Sequence, residues 1–446
     1  MQIPAPPASS FEGSAGGDGW ALAFTPSAVY NVFHHQQTLQ VACHNQADAS
    51  PCWSPKTITD TANSDNFAVG GQPGLWMDQG SGHLFVFASE YSGSASAGTA
   101  ATAGVVCVDT TQPAATANPF CGFTPLSGAG ASPLTPADTI SGVSDPVVVN
   151  HRWYAFDHVN GQGAGNGANQ LLCFDLSTLG ACAGQPYTVN IGLGASGTSQ
   201  TYDWPEPAIA AIGNEVIVGS TTSVNAQGVL GCFNVSTGAS CGGSFPIALT
   251  NGYPGNYGAV FPLLNSAGQV TGFCLPDATD ECYSLTGASV ATPANMTTVV
   301  PGNSGWDGPA IVLGPRAYIA DGSHNQVECY DYSTNASCTN FPHALANQDL
   351  TYSVNSDPQR PSCIWTNADN GSAQIQNFDA YTGGACGSGS LRVISSAIVV
   401  PLVQCQPANF TSLTIVSPAP SVYGGGTVQF QDNDGVPIAG IPTQNL

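Results

Sequence analysis

The sequence predicts an all-β protein, a β-propeller of about seven four-stranded blades with disulfides inside the blades, followed by a short C-terminal segment of different character. Three observations point to this fold. Cysteines recur in short pairs along the 446 residues, and the sequence around the pairs repeats. Each repeat also contains four short apolar or alternating runs, separated by Gly, Asp, Asn and Ser, which is the pattern of strands and turns. Radial repetition of small sheets accounts for all three observations.

Six local pairs of cysteines carry the repeat signal. Eight residues separate the members of four pairs, seven separate those of a fifth, and thirteen those of the sixth. Each pair is predicted to form a disulfide across a hairpin, worth about 2–3 kcal/mol in the chain-entropy model. The predicted pairs are Cys43 and Cys52, Cys107 and Cys121, Cys173 and Cys182, Cys232 and Cys241, Cys274 and Cys282, and Cys329 and Cys338.

The segments around these pairs are copies of one unit. Three of the copies are CFDLSTLGAC at 173–182, CFNVSTGASC at 232–241 and CYDYSTNASC at 329–338. Equivalent positions at 43, 107, 173, 232, 274, 329 and 377 are spaced by about 56 residues on average, which suits one four-stranded blade. The fifth unit is irregular, because its step is short and no second strand is evident before QVTGFCLP at 269–276. Six and eight blades therefore remain alternatives.

Three cysteines are left over from the local pairs: Cys363, Cys386 and Cys405. The copy NFDAYTGGAC at 377–386 has Asn377 where the other copies have their first cysteine. Cys386 is therefore expected to pair with Cys363 or with Cys405, and the sequence does not choose between them.

Composition limits the partners and the compartment. Five Lys and Arg face 28 Asp and Glu, for a formal charge of −23. Proteins that bind nucleic acid or anionic membrane surfaces need basic side chains, so neither partner is expected. Fifteen cysteines predict an oxidising, extracellular or cell-surface location. No run of 18 apolar residues predicts a membrane-spanning helix, and the first residues lack the features of a signal peptide.

The turn between the paired cysteines resembles that of a known group of propellers. The repeats are similar to quinoprotein-alcohol-dehydrogenase-like and YVTN-type blades, whose third and fourth strands are joined by a similar D-x-x-T-G turn. The residues that carry the resemblance are Asp175 to Thr178, Asn234 to Thr237, Asp331 to Thr334, and Asp379 to Gly383. The resemblance implies the fold. The quinone chemistry of the group, and hence a cofactor, is not expected, because the chain has no vicinal Cys-Cys pair and its repeats lack the usual docking tryptophan.

The residues after Cys405 form a separate unit. LTIVSPAPSVYGGGTVQFQDNDGVPIAG resembles the opening strands of a bacterial Ig-like repeat, although two or three strands are too few to close such a sandwich. The predicted organisation is an N-terminal extension over 1–18, the propeller over 19–405, and a linker with a partial Ig-like domain over 406–446. The resemblance implies that the chain is part of a longer modular protein.

Ligands of propellers usually lie at the central channel, near the segments that lead into the first strand of each blade. These segments are acidic, aromatic and rich in proline in this chain. The residues predicted to bind are Asp145, Asp203, Trp204, Glu206, Trp306, Asp307, Asp357 and Arg360. Aromatic faces and carboxylates suit the hydroxyls of a carbohydrate, and paired carboxylates can cleave a glycosidic bond. A purely structural use of these residues in repeated turns is the competing interpretation.

The sequence therefore predicts a secreted or cell-surface binding module without catalytic activity, recognising a glycan or a protein through the channel face. One alternative is a carbohydrate-active enzyme, a glycosidase or a polysaccharide lyase, that uses Asp145, Glu206 and Asp307. A second alternative is a structural spacer in a modular surface protein. No metal site is expected, because the eight histidines show neither His-x-His nor His-Glu-x-x-His spacing.

Overall fold

The computed structural model of the chain is a β-propeller of seven blades. The structure describes residues 2–3, 22–35, 38–69, 74–96, 99–129, 134, 146–157, 170–191, 209–221, 228–249, 260–265, 269–275, 281–299, 310–321, 324–346, 348–357, 360–371, 375–386, 427–428 and 444–445. Cys405 lies outside these residues, as does most of the predicted Ig-like segment, of which two short paired strands are described. The prediction of an Ig-like unit is therefore neither supported nor contradicted.

The strands follow one another around the ring in chain order. Strand β1 (Gln2–Ile3) belongs to the sheet of the last blade. Blade one contains β2 (Leu22–Phe24), β3 (Ala28–His35), β4 (Thr38–Asn45) and β5 (Pro51–Thr57). Blade two contains β6 (Thr59–Asp60), β7 (Asp65–Ala68), β8 (Leu75–Asp78), β9 (His83–Ser92), β10 (Thr102–Asp109) and β11 (Phe120–Pro125). Blade three contains β12 (Val147–Val149), β13 (Arg152–Asp157), β14 (Gln170–Asp175), β15 (Gly180–Ala181) and β16 (Tyr187–Thr188).

The remaining blades repeat this arrangement. Blade four contains β17 (Ile209–Ile212), β18 (Glu215–Thr221), β19 (Gly228–Asn234), β20 (Ala239–Ser240) and β21 (Ile247–Ala248). Blade five contains β22 (Phe261–Leu264), β23 (Val270–Leu275), β24 (Glu281–Ser284) and β25 (Ser289–Val290), and helix α1 (Met296–Val299) follows. Blade six contains β26 (Ile311–Leu313), β27 (Arg316–Asp321), β28 (Gln326–Asp331), β29 (Ala336–Ser337) and β30 (His343–Ala344). Blade seven contains β31 (Gln348–Asp357), β32 (Arg360–Gly371) and β33 (Ile375–Asp379), and the pair β34 (Thr427–Val428) and β35 (Gln444–Asn445) lies beyond it.

The N-terminal strand β1 completes the seventh blade. Its two residues pair antiparallel with β33, Gln2 opposite Gln376 and Ile3 opposite Ile375, so that β1 is the fourth strand of the sheet. The same junction is closed by side chains of blade one that pack on blade seven. Phe24 of β2 lies against Trp365 of β32, with ring centroids 5.5 Å apart. The two ends of the propeller therefore join through both backbone pairing and burial.

Among the described residues, seven apolar clusters lie one between each pair of neighbouring blades, and an eighth, smaller cluster lies within blade two. Successive side chains along each second strand point to opposite faces of the sheet, so they enter the two clusters on either side of the blade. In β13, Tyr154 and Phe156 face blade four, whereas Trp153 and Ala155 face blade two. Each sheet is thus covered on both faces, which is why its middle strands are largely apolar.

Tight turns shaped by an Asp or Asn side chain join the third and fourth strands. Asp175 Oδ1 accepts hydrogen bonds from the backbone N–H groups of Ser177 and Thr178, at 2.8 and 3.1 Å. Asn234 accepts the equivalent pair at 3.0 and 3.1 Å. After the third strand of blade seven, whose fourth strand is β1, Asp379 accepts the same pair of hydrogen bonds from Tyr381 and Thr382, at 3.1 and 2.9 Å. The D-x-x-T motif is therefore a turn-forming element, which explains its recurrence without any reference to function.

The six predicted disulfides are confirmed, and Cys363 pairs with Cys386 as the seventh. One prediction about them is wrong. Cys274 is not the repeat equivalent of Cys173 and Cys232, because it lies on the second strand of its blade, directly opposite Cys282 on the third. Cys282 is the equivalent residue, and Val290 faces it where other blades have their second cysteine.

This register removes the irregularity of the fifth unit. With position 282 in place of 274, the neighbouring steps become 50 residues from 232 and 47 residues to 329. The segment QVTGFCLP contains the second strand itself, β23, and the first strand β22 lies before it. The sequence predicts the correct pair of cysteines, but the member of the pair at the repeat position is Cys282 rather than Cys274.

Candidate functional site

The two ends of the sheets differ in how their strands are connected. We call the bottom end the one where the first strand turns into the second and the third into the fourth. Two residues make the first of these turns in blades three, four and six, at 150–151, 213–214 and 314–315. At the opposite, top end, the second and third strands are joined by 93–101 in blade two, 158–169 in blade three and 222–227 in blade four. Connections that are long and differ from blade to blade are where binding residues concentrate.

The chain also approaches the first strands from the top end. First strands of neighbouring blades contact one another, as β12 and β17 do, and β31 contacts both β26 and β2. These strands are therefore innermost. Six predicted binding residues precede β12, β17 or β26 in the sequence and lie outside the described residues: Asp145, Asp203, Trp204, Glu206, Trp306 and Asp307. Their role remains a prediction.

Asp357 and Arg360 lie at the other end. Asp357 is the last residue of the first strand β31 rather than a residue that precedes it, and Arg360 begins β32 across a two-residue turn. Arg360 Nε donates to Asp357 Oδ2 at 3.0 Å, and the aspartate side chain is 1% exposed. DPQRP at 357–361 resembles in composition the segments that lead into first strands. Asp357 nevertheless ends a first strand and pairs with Arg360 of the second strand, which places this pair at the bottom end.

The other described arginines are at the bottom end as well. Arg152 and Arg316 each begin a second strand and lie beside an aspartate of the third, at 3.9 Å from Asp175 and 3.3 Å from Asp331. Arg152 and Arg316 therefore both lie at the bottom end. The described part of the top end contains no arginine, which leaves little there to attract an anionic ligand.

A polar cluster that sequence reasoning missed lies at the top end of blade six. Gln326 Nε2 donates to Asp321 Oδ2 at 3.2 Å and to Glu328 Oε1 at 2.7 Å, so that one amide bridges two carboxyl groups. His324 Nδ1 lies 2.8 Å from Asp321 Oδ2, and the backbone N–H of His324 donates to Asp321 Oδ1 at 3.2 Å. The hairpin between β27 and β28 is thus organised around Asp321.

Burial divides this cluster into an inner and an outer part. Asp321 and Glu328 are 2% and 5% exposed, whereas the side chain of His324 is 62% exposed. Burial, and then the charge of Asp321, raise the pKa of Glu328 to about 7. The arrangement can present an oriented imidazole to a ligand, while Glu328 can hold a proton near neutral pH. Its burial keeps Glu328 from direct contact with a large ligand in this conformation.

Blade three has part of the same arrangement. Asp157 ends β13 opposite Gln170, as Asp321 ends β27 opposite Gln326, and Asp157 is 1% exposed. The sequence did contain a signal for this pair. RWYAFD at 152–157 and RAYIAD at 316–321 share Arg, Tyr and Asp at the same spacing, and a glutamine begins the next strand in both.

Two groups of described residues contain three side chains of the kinds that bind metals. They are His83 with Cys107 and Cys121, and Glu215 with Cys232 and Cys241, and in each group the ligand atoms lie within 4.8 Å of one another. Both pairs of cysteines form disulfides, so their sulfur atoms are not thiolates. No helix in the described part of the chain is long and apolar enough to span a membrane.

No family model matches the chain, and no curated protein matches it. Solved structures do match. A chain of the mitotic checkpoint complex is 13% identical, with a TM-score of 0.45, over 84% of this chain and 98% of that one. The Dos1 propeller is 11% identical, with a TM-score of 0.38, over 82% of both chains. A prolyl endopeptidase is 13% identical, with a TM-score of 0.41, over 95% of this chain and 53% of that one. Likenesses at this level concern the fold and carry no argument about function.

Proposed function

We propose that the chain is a secreted or cell-surface binding module that recognises a glycan, in the first instance a neutral one, through the top end of its propeller. The observation that carries the proposal is the difference between the two ends. In blades three, four and six the bottom end consists of short, repeated turns that Asp and Asn side chains shape, whereas the connections at the top end differ in length from two residues in blade one to twelve in blade three. A rigid scaffold with one variable face is the usual design of a recognition domain.

The chemistry of the top end favours hydroxyl-rich ligands. The described part of this end has no arginine, and the chain as a whole carries a formal charge of −23, which disfavours sulfated or phosphorylated glycans. The predicted carboxylates can accept hydrogen bonds from sugar hydroxyls, and Trp204 and Trp306 can stack against sugar rings. A protein ligand is the alternative occupant of the same face.

Seven disulfides support the extracellular part of the proposal, because structural disulfides persist in oxidising compartments. The D-x-x-T turns also resemble those of quinoprotein-like and YVTN-type propellers. A spacer role is less favoured. Val148 and Val312, on the innermost strands of blades three and six, are 44% and 38% exposed, so these apolar side chains do not pack into a plug.

Glycan-array screening followed by calorimetry tests the proposal. Trp204→Ala, Trp306→Ala and His324→Ala should each weaken binding, whereas His151→Ala should not. His151 is the matched control, because it is an exposed histidine at the bottom end of blade three. Equal effects of His324→Ala and His151→Ala, or a lack of binding to any glycan, would contradict the proposed site.

One observation favours an enzyme as the second candidate. Asp321 and Glu328 are two buried carboxyl groups bridged by one amide, and the raised pKa of Glu328 would let it act as an acid near neutral pH once the β27–β28 hairpin opens and exposes it to the substrate. A glycosidase or lyase requires such a proton donor together with a second carboxylate. Turnover of polysaccharides that disappears in Asp145→Asn, Glu206→Gln, Asp307→Asn or Glu328→Gln would establish catalysis. Binding without turnover would leave the binding module as the function.

A further inference from the structure

One position differs in charge among four otherwise equivalent blades. This position is the first residue of the second strand or of its equivalent. It pairs with an Asp or Asn on the third strand, and that residue lies two positions after the first cysteine of the blade's disulfide. Blades three and six have arginine at this position, Arg152 and Arg316. Blade four has Glu215, and blade two has His83. The sheet register therefore places one of three kinds of side chain, arginine, glutamate or histidine, beside each of four equivalent disulfides.

In blade two this position holds a histidine, a residue of a kind that binds metals. The imidazole of His83 and the sulfur atoms of Cys107 and Cys121 lie within 4.8 Å of one another. His83 also lies between two aspartates, opposite Asp78 on β8 and opposite Asp109 on β10. The surroundings of the group are therefore anionic, which favours a cation.

We propose that reduction of the Cys107–Cys121 disulfide creates a three-ligand site for Zn²⁺ or a similar borderline-soft divalent cation, formed by His83, Cys107 and Cys121. Two thiolates and one imidazole are ligands that such cations prefer, and the fourth position is left for water. Asp109 acts through its charge rather than as a ligand. Its Oδ1 accepts from Thr111 and its Oδ2 from Gln112, which occupies both oxygens in the turn.

The chemistry requires a reductant, a trialkylphosphine in the laboratory. The phosphorus attacks one sulfur and the S–S bond breaks. Water then supplies the oxygen of the phosphine oxide and two protons, which leave Cys107 and Cys121 as thiols. The metal displaces these two protons when it binds, so each metal bound releases up to two protons. Oxidation of the thiols to the disulfide expels the metal, because the disulfide offers no thiolate.

Accessibility points to blade two among the equivalent blades. Cys121 is exposed, whereas the second cysteines of blades three and six, Cys182 and Cys338, are 6% and 4% exposed. Arginine beside those two disulfides would repel a cation. In blade four, Glu215 offers an oxygen ligand, but Cys232 is 1% exposed. The Cys107–Cys121 disulfide should therefore open first and bind metal best.

The experiment uses the folded, full-length chain under limited reduction. Alkylation of free thiols and mass mapping identify the phosphine concentration at which Cys107 and Cys121 react while other pairs stay closed. Cd²⁺ or Co²⁺ is then added, and sulfur-to-metal charge-transfer absorption reports thiolate ligation. We expect one metal per chain, protection of both thiols from alkylation, and no binding to the unreduced protein. His83→Arg, which copies blades three and six, should bind at least tenfold more weakly.

Glu215→Arg is the matched control, because it makes the same change at the equivalent position of blade four, and it should leave the affinity unchanged. The proposal is overturned if His83→Arg binds as well as the parent protein, or if another disulfide opens first. It is also overturned if opening this disulfide abolishes the native circular dichroism, since the three ligands need their strands in register. None of these measurements depends on a glycan, so the result is separate from the fate of the proposed function.

Discussion

Glu328 of blade six should make the stability of the protein depend on pH in an unusual direction. Its side chain is buried beside Asp321, and its pKa is raised from 4.5 to about 7, first by burial and then by the charge of Asp321. The folded chain therefore keeps this proton up to about pH 7, whereas the unfolded chain loses it near pH 4.5. The contribution to stability is fully present below pH 4.5 and is lost as the pH rises to about 7.

The expected loss of stability follows from the size of the pKa change of Glu328. At 1.36 kcal/mol for each pKa unit, a pKa raised from 4.5 to about 7 corresponds to a loss of roughly 3 kcal/mol between pH 4.5 and pH 7. Glu328→Gln retains a neutral side chain of similar size and should remove this loss. The free energy of unfolding of the variant should depend less on pH than that of the parent protein, and it should be higher than that of the parent at pH 8.

Denaturation by guanidinium chloride at pH 5 and pH 8, at constant ionic strength and followed by tryptophan fluorescence, measures the difference. Asp48→Asn is the control, because folding lowers the pKa of Asp48 whereas it raises that of Glu328. Hydrogen bonds from Ser50 lower the pKa of Asp48, so its effect should fall in the acid range and leave the slope between pH 5 and pH 8 unchanged. A parent protein and a Glu328→Gln variant with the same slope over this range would refute the reasoning about the buried pair.

Three further outcomes follow from the fold. Replacing Cys274 and Cys282 together by serine should cost about 2–3 kcal/mol in urea unfolding, and an unchanged midpoint would show that their disulfide adds nothing to blade five. Ile3→Pro should lower the melting temperature, because it removes a backbone donor from β1 at the closure with β33, whereas a value equal to that of the parent would indicate that β1 does not close the ring. Asp379→Ala should cost about 1–2 kcal/mol, since it removes the acceptor for the backbone of Tyr381 and Thr382, and calorimetric unfolding without a shift would contradict that turn's role.

The position of the site illustrates what pattern recognition can miss. DPQRP at 357–361 has the same acidic, proline-rich composition as the segments before the first strands of other blades. Composition alone cannot say whether such a segment precedes a strand or ends one, because a turn needs similar residues in both places. In the structure the long strand β31 ends at Asp357, so the segment follows a strand and the ion pair lies at the bottom end.

The acidic cluster of blade six was hidden for a related reason. Asp321, His324, Gln326 and Glu328 are unremarkable as a sequence of polar residues around a turn. Only the antiparallel pairing of β27 with β28 places Gln326 opposite Asp321, and puts Glu328 on the same face. The recurrence of Asp157 and Gln170 in blade three was the signal that a closer comparison of the repeats could have used.

The sequence by itself determined the class of fold, the repeat and six of the disulfides, because these depend on local spacing. Two cysteines about ten residues apart can meet across one hairpin, and seven similar units can bury their faces only against one another. The deficit of Lys and Arg, evident from the first count, also limits the ligands without any structure. Tertiary structure alone decided which strand each residue occupies, and therefore the register of blade five, the Cys363–Cys386 pair and the closure by β1. These features join residues through pairing between strands that local spacing does not specify, and the face on which a side chain lies changes with a shift of a single residue.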